Sequence, residues 1–300
     1  AGLHHGGRRA QAVQEPRALV SDVQRRNELV AVGQTELLLQ EHPAAGEAVV
    51  GRQGGEDDHI DLALVDACRF DGRLGRDALY KAAGTGLWIG RPVEWPGSRP
   101  LTLEPELGPD YGGLSEWPLD HVVKCLCFAH PDDDATTWAD QEQTVLRLFS
   151  AARRNRLEFL LEVIPSKVAP IDDDTTARVI QRFYDIGVYP DWWKLEPFKT
   201  DAAWSKSVEA IERNDPRTRG IVVLGLEAPE ADLAASFERA ARFPLVKGFA
   251  VGRTIFADAT RDWLAGKADD ATAIACMKDK YARLCRIWDG ARAQCQEKVA

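Results

Sequence analysis

Aromatic residues are absent from the first 69 positions of this 300-residue chain, and the first one is Phe70. All nine tryptophans lie beyond that point, and the first lysine is Lys81. Because aromatic side chains contribute much of the buried area of a protein core, residues 1–70 should build a poor one. We therefore expect an atypical N-terminal segment over 1–70, either disordered or not native to the fold, and the main domain over 71–300.

Several kinds of partner and compartment are disfavoured by what else is missing. No apolar run reaches the roughly 18 residues that cross a bilayer, and the N-terminus has no signal-peptide pattern. The formal net charge of −9 disfavours nucleic acid as a partner, since such proteins present a basic surface. The six cysteines form no CxxC pair, and Cys125 and Cys127 fall in one apolar run, which suits reduced thiols. We expect a cytoplasmic protein that binds neither membranes nor nucleic acid.

Strand-like and helix-like segments alternate regularly after the change of composition near residue 70. The apolar runs of strand length are Leu87–Val93, Val122–Phe128, Glu158–Pro165, Trp192–Pro197, Ile221–Leu226 and Val246–Gly252. The amphipathic segments of helix length are Thr136–Arg154, Asp174–Gly187, Asp201–Arg213, Pro229–Arg242 and Ala271–Ala293. This alternation predicts an α/β fold with a parallel sheet. A short strand over Asp61–Ala67 is a further expectation.

Two parallel architectures fit this repeat, a (β/α)8 barrel of the TIM type and an open doubly wound sheet. Neither GxGxxG nor GxxxxGK[ST] occurs at a strand–helix junction, so the sequence lacks the phosphate loops typical of the open nucleotide-binding folds. We therefore favour the barrel.

Charged residues within three of the apolar runs are the candidates for an active site. Lys124, Glu162 and Lys194 each lie inside a strand-like segment, where an unpaired charge would be costly to bury. Each has a structural alternative as a member of an ion pair, but together they indicate an active site. Lys194 follows two tryptophans, and an amine in such a dry pocket can become a nucleophile for carbonyl carbon.

A candidate phosphate site lies at the ends of the last two strands. Arg253 follows Gly252 there, and Gly225 ends the preceding strand. Glycine permits close backbone approach, arginine grips phosphate, and barrels often bind phosphate after their last two strands. The alternative for Arg253 is a structural contact with a carbonyl or a carboxylate.

Two acidic runs, Asp132–Asp134 and Asp172–Asp174, precede helices and are most simply helix caps. A metal site built from them is the alternative, because oxygen-rich loops bind divalent cations. His130 follows a strand and is either structural or an acid–base group.

At these residues the sequence resembles a known family. The stretches VVKCLCFAHPDD, FLLEVIPSK, YPDWWKLEP, GIVVLGLEAP and VKGFAVGRTIF are similar to a class I, tagatose-bisphosphate aldolase-like domain of bacterial myo-inositol catabolism. The resemblance covers roughly residues 75–292. The family is often fused to a sugar kinase of the same pathway.

The resemblance implies a reaction and a role for each residue. The reaction would be cleavage of 2-deoxy-5-keto-gluconate 6-phosphate to dihydroxyacetone phosphate and malonate semialdehyde, without a metal or cofactor. Lys194 matches the Schiff-base lysine on the sixth barrel strand, Lys124 and Glu162 match active-site groups, and Arg253 matches a phosphate contact. The family's FDHR-like first-strand motif has no counterpart in residues 1–70, so we expect the first barrel strand to be absent or degraded.

Two other functions stay open. One is a metal-dependent lyase that uses the aspartate runs and His130. The other is a non-catalytic sugar-phosphate-binding domain of a carbohydrate kinase (5-dehydro-2-deoxygluconokinase) fusion. In each case the expected partner is a small sugar phosphate, and a homo-oligomer is left open.

Overall fold

The fold is described from a computed structural model over residues 62–65, 79, 88–226 and 228–297. Within 62–65 only the backbone is described. The remaining residues of the predicted N-terminal segment 1–70 lie outside the described residues, so the prediction that this segment is disordered or foreign to the fold stays a prediction.

Parallel strands build one sheet over the described residues. They are β1 (Leu62–Val65), β2 (Ile89–Pro92), β3 (His121–Cys127), β4 (Glu158–Val163), β5 (Trp192–Leu195), β6 (Gly220–Leu224) and β7 (Val246–Val251). Their order in the sheet is β1-β7-β6-β5-β4-β3-β2. All neighbouring pairs are parallel. The six apolar runs of the sequence are therefore confirmed as strands.

Helices follow each strand from β3 onward. They are α1 (Ala135–Arg154), α2 (Thr175–Asp185), α3 (Asp201–Asn214), α4 (Glu230–Ala240), α5 (Arg253–Leu264) and α6 (Asp270–Glu297). Between β2 and β3 the chain instead makes two short 3-10 helices, Pro105–Leu107 and Gly112–Glu116. Every helix in the described part of the chain is too short or too polar to cross a bilayer.

The α/β class is confirmed, whereas a full eight-stranded barrel is not. Strands β2–β7 form a curled half-barrel. The short strand β1 lies within the predicted 61–67 stretch and pairs with β7, at the edge where a barrel's first strand would lie. Within the described residues β1 and β2 are the two edges of the sheet and do not pair.

Period-two alternation divides the strand residues between two faces of the sheet. The outer face packs against the helices in one large core, which includes Cys125 and Cys127 with their side chains fully buried. The inner face carries a smaller apolar cluster that consists of Val122, Leu160, Trp192, Val222 and Ala250, with Trp88 packed against it. Three members of this cluster, Val122, Leu160 and Trp192, each come two residues before an inward-facing charged residue of the same run.

One buried histidine lies at the start of β3, on the outer face. His121 is almost fully buried, and neither ring nitrogen has a hydrogen-bond partner among the described residues. Burial lowers the pKa of His121, and the nearby Arg91 cation lowers it further, although Asp120 opposes the shift. The folded protein therefore binds a proton at this position less readily than the unfolded chain does.

This histidine should make folding weaker in acid. Because the pKa of His121 is lowered in the folded state, its titration does not destabilise the fold well above the unfolded pKa of about 6.5. The destabilisation grows as the pH falls through that value. Between pH 8 and pH 5.5 we expect the unfolding free energy, measured by urea denaturation, to fall less in His121→Leu than in the wild type. An equal loss in the wild type and the variant would contradict the assignment.

Candidate active site

The three charged strand residues predicted from the sequence meet on the inner face. Glu162 on β4 stands beside Lys194 on β5 in the strand register, and its Oε1 atom is 3.5 Å from Lys194 Nζ. The other oxygen, Oε2, is 2.6 Å from Lys124 Nζ on β3. Lys194 and Glu162 are only 2% and 5% exposed. The structure thus brings two lysines onto one buried carboxylate.

A fourth charged residue, Glu94, completes this group, and the sequence analysis missed it. Its Oε1 atom lies 2.6 Å from Lys124 Nζ, and its Oε2 atom accepts a hydrogen bond from the backbone N–H of Leu126 at 3.2 Å. Glu94 comes two residues after β2 ends and lies just outside the predicted apolar run Leu87–Val93. The available signal was its place at the carboxyl end of a strand, where barrel enzymes carry their functional groups.

Glu196 is a second buried carboxyl on the inner face. It follows Lys194 at the next inward position and is 2% exposed. The hydroxyl of Ser166 hydrogen-bonds to its Oε1 atom, and the Ser166 N–H donates to Oε2 at 3.3 Å. Burial raises the pKa of Glu196, while the bonds from Ser166 and the nearby Lys167 act in the opposite direction. The site therefore contains one carboxyl that holds a proton to higher pH than usual.

The predicted phosphate residues lie at the same end of the sheet. Gly225 follows β6, where an added Cβ would stand 2.8 Å from Val251 Cγ1, so the glycine permits close approach to β7. Gly252 caps the N-terminus of α5, and Arg253 is the exposed first residue of that helix. Helix N-termini bind anions through their free N–H groups. The positions suit a phosphate contact, but that role stays a prediction.

The two aspartate runs make helix-capping and turn contacts. Asp134 caps α1 by accepting from the N–H groups of Thr136 and Thr137. Asp172 accepts from the hydroxyl of Thr175, at 2.6 Å, before α2 begins. His130 is buried, with its Nε2 atom 3.2 Å from the carbonyl oxygen of Pro170. In the described part of the chain no three histidine, cysteine, aspartate or glutamate side chains are grouped as metal ligands.

Comparison with family models decides the family of the chain. The model described as "uncharacterized protein conserved in bacteria (DUF2090)" matches residues 48–292, well over half of the chain. The chain belongs to the DUF2090 family. The match starts within the segment 1–70, and the domain boundary at residue 70 stays a prediction. None of the curated proteins matches the sequence.

Solved structures place this DUF2090 chain among aldolase-like folds. A fructose-bisphosphate aldolase from Plasmodium falciparum, solved with TRAP and a small-molecule inhibitor, superposes with a TM-score of 0.52 at 13% identity, covering 90% of this chain and 96% of that one. The Corynebacterium glutamicum protein Cgl0159 superposes with a TM-score of 0.43 at 18% identity, covering 90% of this chain and 98% of that one. The aldolase-like fold expected from the resemblance is confirmed; the specific inositol-pathway domain and the kinase fusion stay predictions.

The raised pKa of Glu196 predicts a pH-dependent stability difference. A carboxyl whose folded pKa is raised stabilises most below its unfolded pKa of about 4.3 and loses that contribution as the pH rises through the folded value. We expect the unfolding free energy of the wild type, relative to Glu196→Gln, to fall between pH 4 and pH 8 in urea titrations. A difference that grows with pH would refute the assignment.

Proposed function

We propose that this protein is a class I aldolase that forms a Schiff base through Lys194. The observation that carries the proposal is the buried group of Lys194, Glu162 and Lys124 at the carboxyl end of the half-barrel. A buried lysine within reach of an acid–base group is what imine chemistry needs, because a neutral amine must attack a carbonyl while protons move nearby. The aldolase-like fold supports this reading without identifying the reaction.

The proposed reaction begins when the Lys194 ammonium group passes a proton to the Glu162 carboxylate, which leaves the amine neutral. The Nζ lone pair then attacks the substrate ketone, and the Lys124 ammonium protonates the resulting alkoxide to give a carbinolamine. The carbinolamine nitrogen returns a proton to Lys124, the Glu162 acid protonates the hydroxyl group, and water leaves as the iminium forms, so that Glu162 is again a carboxylate. The two groups lie on opposite oxygens of Glu162, at 3.5 Å and 2.6 Å, which allows this one carboxylate to serve both lysines.

Cleavage follows from the electron demand of the iminium. A base, Glu162 in this scheme, removes the proton of the hydroxyl group β to the iminium carbon. The C–C bond then breaks, its electron pair moves into the iminium to give an enamine, and an aldehyde departs. Protonation of the enamine carbon and hydrolysis of the resulting imine release the ketone and restore Lys194.

We infer that the substrate is a phosphorylated keto sugar acid, with 2-deoxy-5-keto-gluconate 6-phosphate as the first candidate. An iminium at C5 of that compound would direct cleavage to the C3–C4 bond, which yields dihydroxyacetone phosphate and malonate semialdehyde. Arg253 at the start of α5, with the N–H groups near Gly252 and Gly225, would hold the phosphate. The motif resemblance to the inositol-pathway domain supports this substrate.

Borohydride reduction tests the role of Lys194. When the protein is treated with borohydride and 2-deoxy-5-keto-gluconate 6-phosphate or dihydroxyacetone phosphate, we expect a stable adduct on the peptide that contains Lys194, detected by mass spectrometry. Lys194→Met should lose the adduct and at least about 10³-fold in kcat, because the nucleophile itself is removed.

The matched control is Lys267→Met, which changes an exposed lysine in the loop before α6 and should leave both measurements unaltered. Full activity of Lys194→Met would sink the proposal. Tight binding of the sugar phosphate with neither adduct nor turnover would favour the non-catalytic binding domain instead.

Substitution of Arg253 tests the phosphate contact. A charged hydrogen bond contributes about 1.5–3 kcal/mol, so Arg253→Gln should raise KM about 10- to 100-fold with a smaller change in kcat. Arg261→Gln is the control, because Arg261 lies on the same helix and pairs with Asp258 at 2.9 Å. Equal effects of the two substitutions in steady-state kinetics would remove Arg253 from the phosphate site.

A further inference from the structure

Lys124 is held between two carboxylates rather than one. Its Nζ atom lies 2.6 Å from Glu94 Oε1 and 2.6 Å from Glu162 Oε2. The side chains of Lys124 and Glu94 are 13% and 10% exposed, so water screens these contacts only weakly. The scheme above uses Glu162 and both lysines but leaves Glu94 without a role.

The backbone around Glu94 is fixed from both sides. Glu94 forms an antiparallel bridge with Leu103, and the neighbouring Trp95 N–H donates to the carbonyl of Thr102 at 2.8 Å. These contacts make residues 94–103 a hairpin. At its far end Arg99 donates to the carbonyl of Phe128 at 3.3 Å and pairs with Asp133. The hairpin is therefore attached to the segment that follows β3, and Glu94 enters the site from a braced position.

The carboxylate of Glu94 is itself oriented by the chain. Its Oε2 atom accepts from the N–H groups of Leu126 at 3.2 Å and Val93 at 3.3 Å, which leaves Oε1 directed at Lys124. Hydrogen bonds from backbone N–H groups hold the Glu94 carboxylate in one orientation toward Lys124.

Two lysines lie close to Glu162, and Glu94 brings a second carboxylate to one of them. Lys124 faces Glu94, Glu162 and, across Glu162, the amine of Lys194. If Glu94 were neutral, two lysines would share the single charge of Glu162, and one of them would lose its proton more readily. With Glu94 ionised, Lys124 can stay a cation while Glu162 exchanges a proton with Lys194.

We propose that Glu94 is a positioning residue that holds Lys124 as a fixed ammonium group and thereby frees Glu162 for proton transfer. This inference rests on the proposed aldolase function, since the ammonium of Lys124 is the group that protonates the carbonyl oxygen there. Glu94 acts through Lys124 and Glu162 and has no contact of its own with the reacting atoms in this scheme.

The test compares Glu94→Gln, which removes the charge and keeps the size, with Glu94→Asp, which keeps the charge. We expect Glu94→Gln to lower kcat about 10- to 100-fold, the range of one acid–base contribution, with little change in KM. The alkaline limb of its pH profile for kcat/KM should move to lower pH. Glu94→Asp should restore the wild-type limb, and the control Glu106→Gln, at an exposed glutamate between β2 and β3, should change nothing.

A second measurement needs no turnover. Acetic anhydride labels neutral amines, so the labelling of Lys124 against pH, followed by peptide mass spectrometry, reports its charge directly. We expect labelling to begin at lower pH in Glu94→Gln than in the wild type, and identical labelling curves would overturn the proposal. If the wild type forms no borohydride adduct at Lys194, the aldolase function fails while the labelling comparison still decides the role of Glu94.

Discussion

The contact between Glu162 and two lysines is the constraint on which the rest of the site depends. Three charged groups on neighbouring strands are almost withdrawn from water, and a buried charge is tolerated only when opposite charges face it at short distance. Removing any one of them leaves the others unbalanced. The strand register meets this demand, because it sets Glu162 directly beside Lys194 and one strand away from Lys124.

Apolar side chains on the inner face of the same sheet help to exclude water from the charged group. Trp192 and its apolar neighbours form a cluster on the inner face, and Trp88 packs edge-on against Trp192 with ring centroids 5.8 Å apart. Chemistry is thereby confined to the carboxyl end, where Glu196, the loop that carries Ser166 and the start of α5 also lie. Apolar and charged side chains thus share the inner face, because period-two alternation along each strand turns both inward.

Sequence reasoning found the site residues that break a strong pattern. A lysine or glutamate within a buried strand stands out, so Lys124, Glu162 and Lys194 could be predicted together. Glu94 could not, because it follows a strand, and no local pattern records either its bridge to Leu103 or its contact with Lys124. Helix α5 was not predicted either; its buried residues are Ile255 and Ala259. The pairing of β1 with β7 could not be predicted either, because it joins strands that are far apart in the sequence.

The carboxyl groups of the site differ in what surrounds them, and this difference assigns them separate tasks. Glu94 and Glu162 each lie 2.6 Å from the Lys124 ammonium nitrogen, whereas Glu196 accepts hydrogen bonds from Ser166 and has a pKa that burial raises. Chemistry that moves protons uses titratable groups in different environments close together. A sheet that carries lysines on β3 and β5 beside these carboxyls provides such environments. The position of Lys124 between Glu94 and Glu162 is therefore as much a part of the proposed mechanism as the lysine that forms the imine.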